Sequence, residues 1–376
     1  MWPECWQRDI VKLGVANAVI DGTLVAGDVE VEDGRISAVG VMPAGPRGTA
    51  VPGFVDMQVN GFAGVDFAAA TPEEYRTVGI ALAATGVVAY QPTLITLPED
   101  QTLAALGALA NYQPAATEPA VLGVHLEGPF LSPLRPGAHD PASILDPDLD
   151  VAERLLAVTP VTMMTVAPER PGAPELIQLL MGRGVKVSCG HSDATAAEAH
   201  DAFDAGATAV THLFNAQRPF RHRDPGIAGA ALIRSDVTAS IIADGFHLAD
   251  ETIRVAMAAP VAIALITDAI AAAAQPDGIY PLGDRTVTVT EGKAQLSDGT
   301  LAGSVLTMDV AVRNLVDLGV SLPDSISAAT AVPARALGRN DLGRLTVGAV
   351  ADVVVLSNDL DVERTLIAGT QVFPRA

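Results

Sequence analysis

The stretch VKVSCGHSDATAAEAHDAFDAGATAVTHLFN (residues 185–215) carries the pattern that decides the fold. An apolar run, VKVSC, is followed by an Ala-rich segment of helical composition and then by a second apolar run, ATAV. Strand, helix and strand in this order predict a pair of parallel strands, because a parallel pair needs a long crossover connection. A histidine follows each run, His191 after the first and His212 after the second.

The same alternation extends through the middle of the chain, where short apolar runs are separated by Ala- and Leu-rich stretches. The runs are FVDMQVN (54–60), VVAYQPT (87–93), VLGVHLEG (121–128), TMMTVAPE (162–169), VKVSCGH (185–191), ATAVTHLFN (207–215), SIIADGFH (240–247) and AIALITDA (262–269). Eight alternating strands and helices predict an α/β fold, a (β/α)8 TIM-like barrel, whose active site lies at the carboxyl ends of the strands. A doubly wound sheet is less compatible, because no Gly-rich dinucleotide loop follows an early strand.

Both ends of the chain predict a second, small domain. The first fifty residues alternate apolar and polar positions with turn signals at Asp21-Gly22 and Asp33-Gly34, and the last thirty-five look the same. Two separate flaps could each barely bury a face, so we expect one small β-sandwich built from both termini. The expected boundaries are 1–51 and 341–376 for the sandwich and 52–340 for the barrel, with a β-hairpin inserted at 279–299.

Composition and charge exclude several classes of partner. The chain has 376 residues and a formal net charge of −21, which argues against nucleic acid. The most membrane-like segment, 255–274, is interrupted by a proline and an aspartate, so we interpret it as buried core and expect no membrane partner. Cys5 and Cys189 cannot form a disulfide framework, and residues 1–14 lack the apolar stretch of a secretory signal. A cytoplasmic location is the simplest expectation.

Polar residues at the strand ends predict a metal site. Glu127 ends the third run, while His191 and His212 end the fifth and sixth. Two imidazoles and one carboxylate suit a catalytic Zn²⁺-like ion with one position left open for water. The alternative is three unrelated buried polar residues.

Asp268 ends the most apolar run of the chain. A carboxylate there is costly to bury unless a cation or a proton compensates it. We therefore predict that Asp268 is the general base and acid beside the water on the ion, with a helix N-cap as the alternative.

The remaining histidines are less specific. His125 lies two residues before Glu127 on the same strand face, and a structural role is favoured. His200 belongs to a helix surface. His139, in the loop after the third run, could reach over the pocket.

A basic cluster, RPFRHRD (218–224), stands out in this acidic chain. It places three arginines and His222 in one loop directly after the sixth run. The guanidinium fork suits a phosphate group, so we predict a phosphate clamp, with a solvated surface loop as the alternative.

Taken together, these motifs resemble one known family. The resemblance is carried by GVHLEGPFL (123–131), GHS (190–192), THLFNA (211–216), IADGFH (242–247), TDA (267–269) and GTLAGSVLTM (299–308). In this order they resemble the N-acetylglucosamine-6-phosphate deacetylases, a branch of the amidohydrolase superfamily. The resemblance extends from about Pro52 to GAVADVVVL (348–356), nearly the whole chain, and the combination is highly specific.

The resemblance implies hydrolysis of the acetamide of N-acetyl-D-glucosamine 6-phosphate. It implies one divalent metal ion per subunit on Glu127, His191 and His212, with Zn²⁺ expected first and Fe²⁺, Co²⁺ or Mn²⁺ as alternatives. Asp268 would be the catalytic acid and base, and His139 would stabilise the oxyanion. The implied substrate-binding residues are Ala138, His139, Asn215, Ala216, His222, Arg223, His247, Leu301, Ala302 and Gly303.

The resemblance also implies a homodimer in which the neighbouring subunit lends His222 and Arg223 to the phosphate site. One departure concerns the metal. Many superfamily members have His-x-His after the first strand, where this chain has Gln58-Val59-Asn60, so a single tight ion is expected and a weak second one stays open. The alternative functions are N-acetylgalactosamine-6-phosphate deacetylase, another amidohydrolase and a non-catalytic sugar-phosphate-binding protein.

Overall fold

The computed structural model describes residues 10–374. Cys5 and most of the amino-terminal segment interpreted above lie outside the described residues. Cys189 is buried and free.

The chain alternates short strands and helices, as the sequence predicts. The strands are β1 (Val11–Lys12), β2 (Val15–Ile20), β3 (Thr23–Ala26), β4 (Asp28–Glu32), β5 (Arg35–Val41), β6 (Arg47–Pro52), β7 (Phe54–Val59), β8 (Gly61–Phe62), β9 (Val65–Asp66), β10 (Val87–Ile95), β11 (Ala120–Val121), β12 (Val124–Glu127), β13 (Val161–Val166), β14 (Lys186–Cys189), β15 (Ala209–Val210), β16 (Thr238–Ile241), β17 (Ala262–Leu265), β18 (Gly278–Leu282), β19 (Arg285–Thr290), β20 (Lys293–Gln295), β21 (Val353–Leu356), β22 (Val362–Ile367) and β23 (Thr370–Phe373). The helices are α1 (Pro72–Ala84), α2 (Glu99–Ala110), α3 (Leu149–Leu156), α4 (Ala173–Gly182), α5 (Ala196–Asp204), α6 (Gly226–Leu232), α7 (Asp250–Met257), α8 (Met308–Asp317), α9 (Leu322–Ala329) and α10 (Ala331–Ala336), with a 3-10 turn at Pro141–Ser143.

Eight parallel strands form the barrel. Their order is β7, β10, β12, β13, β14, β15, β16 and β17. Near the carboxyl ends of β7 and β17, the Asp268 amide donates to the Gln58 carbonyl (3.0 Å) and the Asn60 amide to the Ala269 carbonyl (2.8 Å). These bonds join the last strand to the first, so the predicted barrel is confirmed.

The sixth barrel strand is much shorter than predicted. The run 207–215 yields only β15, two residues long. Beyond it His212, Phe214 and Ala216 have φ of 32°, 76° and 47°, which lie in the left-handed region that non-glycine residues rarely adopt. The chain therefore leaves the ladder and turns across the mouth of the barrel, bringing His212 with it.

Strands from both termini form the small β-sandwich that the sequence predicts. A six-stranded sheet in the order β23, β22, β21, β6, β2 and β3 faces a three-stranded sheet of β1, β4 and β5. Val15, Val31, Ile36, Val353 and Val355 pack in one buried core between them. The division of the chain at residues 51 and 341 stays a prediction.

A three-stranded antiparallel sheet, β18 to β20, follows the last barrel strand. The predicted hairpin at 279–299 is thus confirmed and has one further strand. Leu282 and Val287 of this sheet pack with Ile95, Leu97 and Ile270 of the barrel rim. This packing holds the sheet over the carboxyl ends of the strands.

The segment 255–274 lies inside the barrel domain. It contains the end of α7, at Met257, and all of β17, whose residues are mostly buried. Among residues 10–374, no helix is both long enough and apolar enough to cross a membrane.

Candidate active site

Three buried side chains meet at the carboxyl ends of the third, fifth and sixth barrel strands. The Nε2 atom of His212 lies 2.9 Å from Oε1 of Glu127 and 3.0 Å from Nε2 of His191. The Nε2 atom of His191 lies 3.3 Å from the same carboxylate oxygen. The three residues proposed from their positions at strand ends are therefore brought together.

The backbone is strained where it delivers these groups. His191, His212 and Asp268 have φ of 46°, 32° and 50°. A non-glycine residue held in such a region costs about 1–3 kcal/mol and persists only where the surrounding structure fixes it. All three residues line one cavity at the mouth of the barrel.

The loop after β12 orients the ring of His191. Its Nδ1 atom lies 3.0 Å from the carbonyl oxygen of Arg135, which can only accept a hydrogen bond. A neutral ring would therefore carry its proton on Nδ1, which leaves the lone pair of Nε2 available to a metal ion bound beside Glu127. Metal-binding imidazoles are commonly oriented in this way.

His139 is oriented in the opposite sense. The backbone amide of Thr96 donates to its Nδ1 atom at 3.0 Å. Burial, and then the nearby imidazole of His191, lower the pKa of His139 to about 3, so the ring is neutral. Its proton is on Nε2, 3.7 Å from Oε2 of Glu127. The ring can therefore donate a hydrogen bond into the site, but it offers no lone pair there.

The tautomer of His139 decides between two possible sets of metal ligands. Possible ligand atoms of Glu127, His139 and His191 all lie within 4.8 Å of one another. Those of Glu127, His191 and His212 lie closer, at 2.9–3.3 Å. Ligand atoms bound at about 2.0–2.2 Å in a tetrahedral site are roughly 3.4 Å apart. The second set fits a divalent ion better, because the proton on His139 Nε2 blocks coordination.

The charge of Glu127 also fits a cation site. Burial opposes its ionisation, but hydrogen bonds with His191 and His212 outweigh burial and hold its pKa well below the usual value. A buried carboxylate kept ionised beside two imidazoles is a suitable donor set for Zn²⁺ and related ions.

Asp268 is held beside this cluster by two side-chain amides. Gln58 Nε2 donates to Oδ1 of Asp268 (3.0 Å) and to Oε1 of Glu127 (3.1 Å), and Asn60 Nδ2 donates to the same Asp268 oxygen (2.7 Å). Burial, followed by the charge of Glu127, raises the pKa of Asp268 to about 6. The sequence did not reveal that Gln58 and Asn60 act as hydrogen-bond donors to carboxylates.

A cavity of about 320 Å³ lies over these groups. Its lining includes most of the residues that the resemblance implies for substrate binding: Ala138, His139, Asn215, Ala216, His247, Leu301 and Gly303. Ala302 is fully buried and does not line the cavity. Sequence reasoning missed the lining residues Ile95, Gly137, Ile242, Leu282 and Thr300, whose apolar, small or hydroxyl side chains carry no chemical signal.

His247, another cavity residue, is also fixed in orientation. Its Nδ1 atom lies 2.7 Å from Oδ2 of Asp244. Burial opposes ionisation of Asp244, but the hydrogen bond and charge of His247 outweigh it and lower the pKa of the carboxyl. Nε2 of His247 makes no hydrogen bond within the described part of the chain, so it is free for a ligand in the cavity.

The basic loop 218–224 divides into two parts. Arg218 forms ion pairs with Asp193 (3.1 Å) and Asp224 (2.8 Å), and these contacts stabilise the conformation of the loop. His222 and Arg223 are exposed, make no ion pair within residues 10–374 and do not line the cavity. Within one chain, the predicted phosphate clamp is not assembled.

The fold and the site define a class of protein. A closed parallel barrel carries a Glu/His/His cluster and an aspartate at the carboxyl ends of its strands, as barrel hydrolases with a metal centre do. Residues 49–372 match the amidohydrolase family, and the chain belongs to this family of metal-dependent enzymes.

Similar proteins are found at high coverage. A human N-acetylglucosamine-6-phosphate deacetylase is 40% identical over 342 residues, with 86% of this chain and 83% of that protein covered. An N-acetylgalactosamine-6-phosphate deacetylase of Escherichia coli O157:H7 is 36% identical, with 93% and 95% covered. The crystal structure of N-acetyl-D-glucosamine-6-phosphate deacetylase from Mycobacterium smegmatis superposes with a TM-score of 0.89 at 37% identity, covering 96% of this chain and 99% of that one.

Proposed function

We propose that this enzyme hydrolyses the acetamide of N-acetyl-D-glucosamine 6-phosphate, giving D-glucosamine 6-phosphate and acetate. The observation that carries the proposal is the meeting of Glu127, His191, His212 and Asp268 at one end of a single cavity. The human and mycobacterial relatives, whose names state this activity, support the choice of substrate.

One divalent ion per subunit would be held by Glu127, His191 and His212. The nitrogen and oxygen donors accept Zn²⁺, the first expectation, and also Fe²⁺, Co²⁺ or Mn²⁺. When bound, such an ion lowers the pKa of water and polarises a carbonyl. Gln58 already donates to both neighbouring carboxylates. This arrangement disfavours a second tight ion at that position.

Asp268 moves the proton. Its Oδ1 atom accepts hydrogen bonds from Gln58 and Asn60, while Oδ2 accepts none from the described residues. Oδ2 is therefore the atom that takes a proton from the attacking water and returns it to the leaving nitrogen. A pKa shifted toward neutrality suits a group that must do both.

His139 stabilises the charge that develops on the acetamide oxygen. The amide of Thr96 fixes its tautomer, so Nε2–H is ready to donate before the reaction begins. A donor that is already oriented is most effective where charge appears in the transition state. Ala138, Asn215, Ala216, His247, Leu301 and Gly303, which line the cavity, would hold the sugar.

The phosphate end of the site would be completed by a second subunit. His222 and Arg223 are exposed and do not line the cavity of their own chain. In a homodimer they could bind the phosphate of a sugar in the partner's cavity, with the guanidinium fork matching the phosphate oxygens. The cytoplasmic location stays a prediction.

Acetate release tests the proposal. Purified enzyme is assayed on N-acetylglucosamine 6-phosphate, N-acetylgalactosamine 6-phosphate and unphosphorylated N-acetylglucosamine. We expect the highest kcat/KM on the first substrate. Faster turnover of the galacto epimer would replace the proposed substrate, and no acetate from any of the three would refute the deacetylase activity.

A further inference from the structure

A chain of hydrogen-bonded side chains crosses the barrel interior beneath the proposed ligands. We call it the hydroxyl relay, and each member comes from a strand of the barrel or the residue that follows it. It consists of Thr93, His125, Thr165, Thr211 and Ser188. The four contacts in this order are 3.3, 2.7, 2.7 and 2.6 Å long. All five side chains are buried, so each polar hydrogen needs an acceptor inside the protein.

One arrangement of the hydrogens satisfies the whole relay. Ser188 donates to Thr211, Thr211 to Thr165, and Thr165 to Nε2 of His125. His125 then carries its proton on Nδ1 and donates it to Thr93. Thr93 donates in turn to the Gln91 carbonyl at 3.4 Å. Four hydroxyls and one neutral imidazole thus use every hydrogen they have.

The reverse direction leaves a hydrogen without a partner. If Nε2 of His125 donated to Thr165, then Thr165 would donate to Thr211. Thr211 and Ser188 would be left with two hydrogens and only one contact between them. A doubly protonated His125 meets the same difficulty. The relay therefore has one direction, ending at a neutral His125.

The relay lies deeper in the barrel than the proposed metal ligands. His125 lies two residues before Glu127 on the same strand face, and Thr211 is bonded directly to His212. In the sheet, Glu127 pairs with Thr165, and Thr165 pairs with Ser188 of the strand that leads to His191. The relay therefore links the strands that carry all three ligands.

We propose that the hydroxyl relay positions the ligands by fixing how far each of these strands is shifted along the barrel axis relative to its neighbours. The three ligand atoms then lie close together before an ion binds. Direct hydrogen-bond partners of metal ligands change metal affinity by about 10–100-fold when removed, and we expect the relay, which acts on the ligands only through their strands, to have an effect near the lower end of that range. The inference rests on the proposed metal site and assigns no chemical step to the relay, whose members are positioning residues.

A matched pair of substitutions on one strand tests the proposal. Thr165→Val and Thr162→Val each replace a threonine of β13 by a side chain of nearly the same size without the hydroxyl. Each hydroxyl makes two hydrogen bonds to residues outside β13. Only Thr165 belongs to the relay. The readouts are the affinity of the metal-free chain for Zn²⁺, measured by chelator competition, and the thermal unfolding of the metal-free chain.

We expect Thr165→Val to bind Zn²⁺ about 10-fold more weakly than Thr162→Val, at a similar loss of Tm. Thr165→Ser, which keeps the hydroxyl, should restore wild-type affinity. Ser188→Ala removes only the first donor and provides a milder test, with weakening in the same direction, should Thr165→Val fail to fold.

Equal affinity for Thr165→Val and Thr162→Val, or wild-type affinity for Ser188→Ala where Thr165→Val does not fold, would overturn the relay while leaving the metal site intact. A wild-type chain that binds no ion would overturn the metal site itself. The two failures are therefore distinguishable.

Discussion

The two ends of the cavity are built in different ways. At the metal end, each key side chain is buried, and most are oriented by a bond from the same chain, such as the Thr96 amide to His139 and the Arg135 carbonyl to His191. At the other end, the basic loop leaves Arg223 exposed and outside the cavity. The proposed catalytic groups are thus assembled within one chain, whereas the proposed phosphate clamp is not.

The difference follows from what each task requires. Catalytic groups work best when they are desolvated and already oriented, which a barrel interior provides. A phosphate clamp needs long, positively charged side chains, which a strongly acidic chain can supply from a surface loop. If a second subunit provides this loop, each end can be disturbed independently of the other.

The largest effect is expected at the metal end. His212→Ala removes one of the three proposed ligands, so the chain should lose its ion and acetate release should fall to background. Metal content of the purified variant, with wild type prepared in parallel, checks the cause. A variant that keeps both ion and turnover would remove His212 from the site.

Asp268→Asn separates binding of the ion from movement of the proton. The amide is similar in shape, so the ion should stay bound while kcat falls by about 10²–10⁴-fold, the range typical of a lost general acid or base. Metal analysis and steady-state kinetics on the same sample measure both. Near-normal kcat would contradict the assigned role.

Arg223→Ala disturbs the other end. We expect KM for N-acetylglucosamine 6-phosphate to rise by about 10–100-fold, the range for loss of a hydrogen bond to a charged group. The KM for unphosphorylated N-acetylglucosamine should stay unchanged. Arg344→Ala, at another exposed arginine outside the cavity, is the control. A parallel rise for both substrates would argue against a phosphate clamp.

The smallest effect is expected below the site, at Asp56. This fully buried carboxyl accepts a hydrogen bond from the Thr267 hydroxyl (2.6 Å), and burial raises its pKa from 3.8 to about 7. Between these pH values the folded chain keeps a proton that the unfolded chain has released. Asp56 therefore contributes stability that is present below pH 3.8 and is lost as the pH rises to about 7.

Asp56→Asn should remove this pH dependence. Measured on the metal-free chain, the Tm of the variant relative to wild type should rise by a few °C between pH 4 and pH 7, on the order expected for a domain of this size. A difference that does not change with pH would show that Asp56 titrates normally.

The sequence predicted the elements but not all of their limits. The eight barrel strands were visible as apolar runs because parallel strands are buried on both faces. The end of the sixth was not, since the backbone is left-handed at His212 and Phe214, and the amides of His212 and Leu213 donate to Ser240, a residue distant in the sequence.

The candidate site, too, could be predicted only in part from the sequence. Glu127, His191, His212 and Asp268 were found because each follows an apolar run. The groups that orient them could not be predicted for two reasons: the Arg135 carbonyl and the Thr96 amide are backbone atoms, present at almost every residue, and nothing in the sequence indicates that Gln58 donates to two carboxylates. The exposed position of Arg223 agrees with the expectation that His222 and Arg223 are lent to a neighbouring subunit, and the homodimer itself stays a prediction.

The most direct test of the account is a metal titration of the metal-free enzyme, with acetate release from N-acetylglucosamine 6-phosphate followed at each step. If Glu127, His191 and His212 hold one catalytic ion, activity should rise linearly with added Zn²⁺ and level off at one ion per chain. Turnover in the complete absence of metal, or a plateau only at two ions per chain, would contradict it.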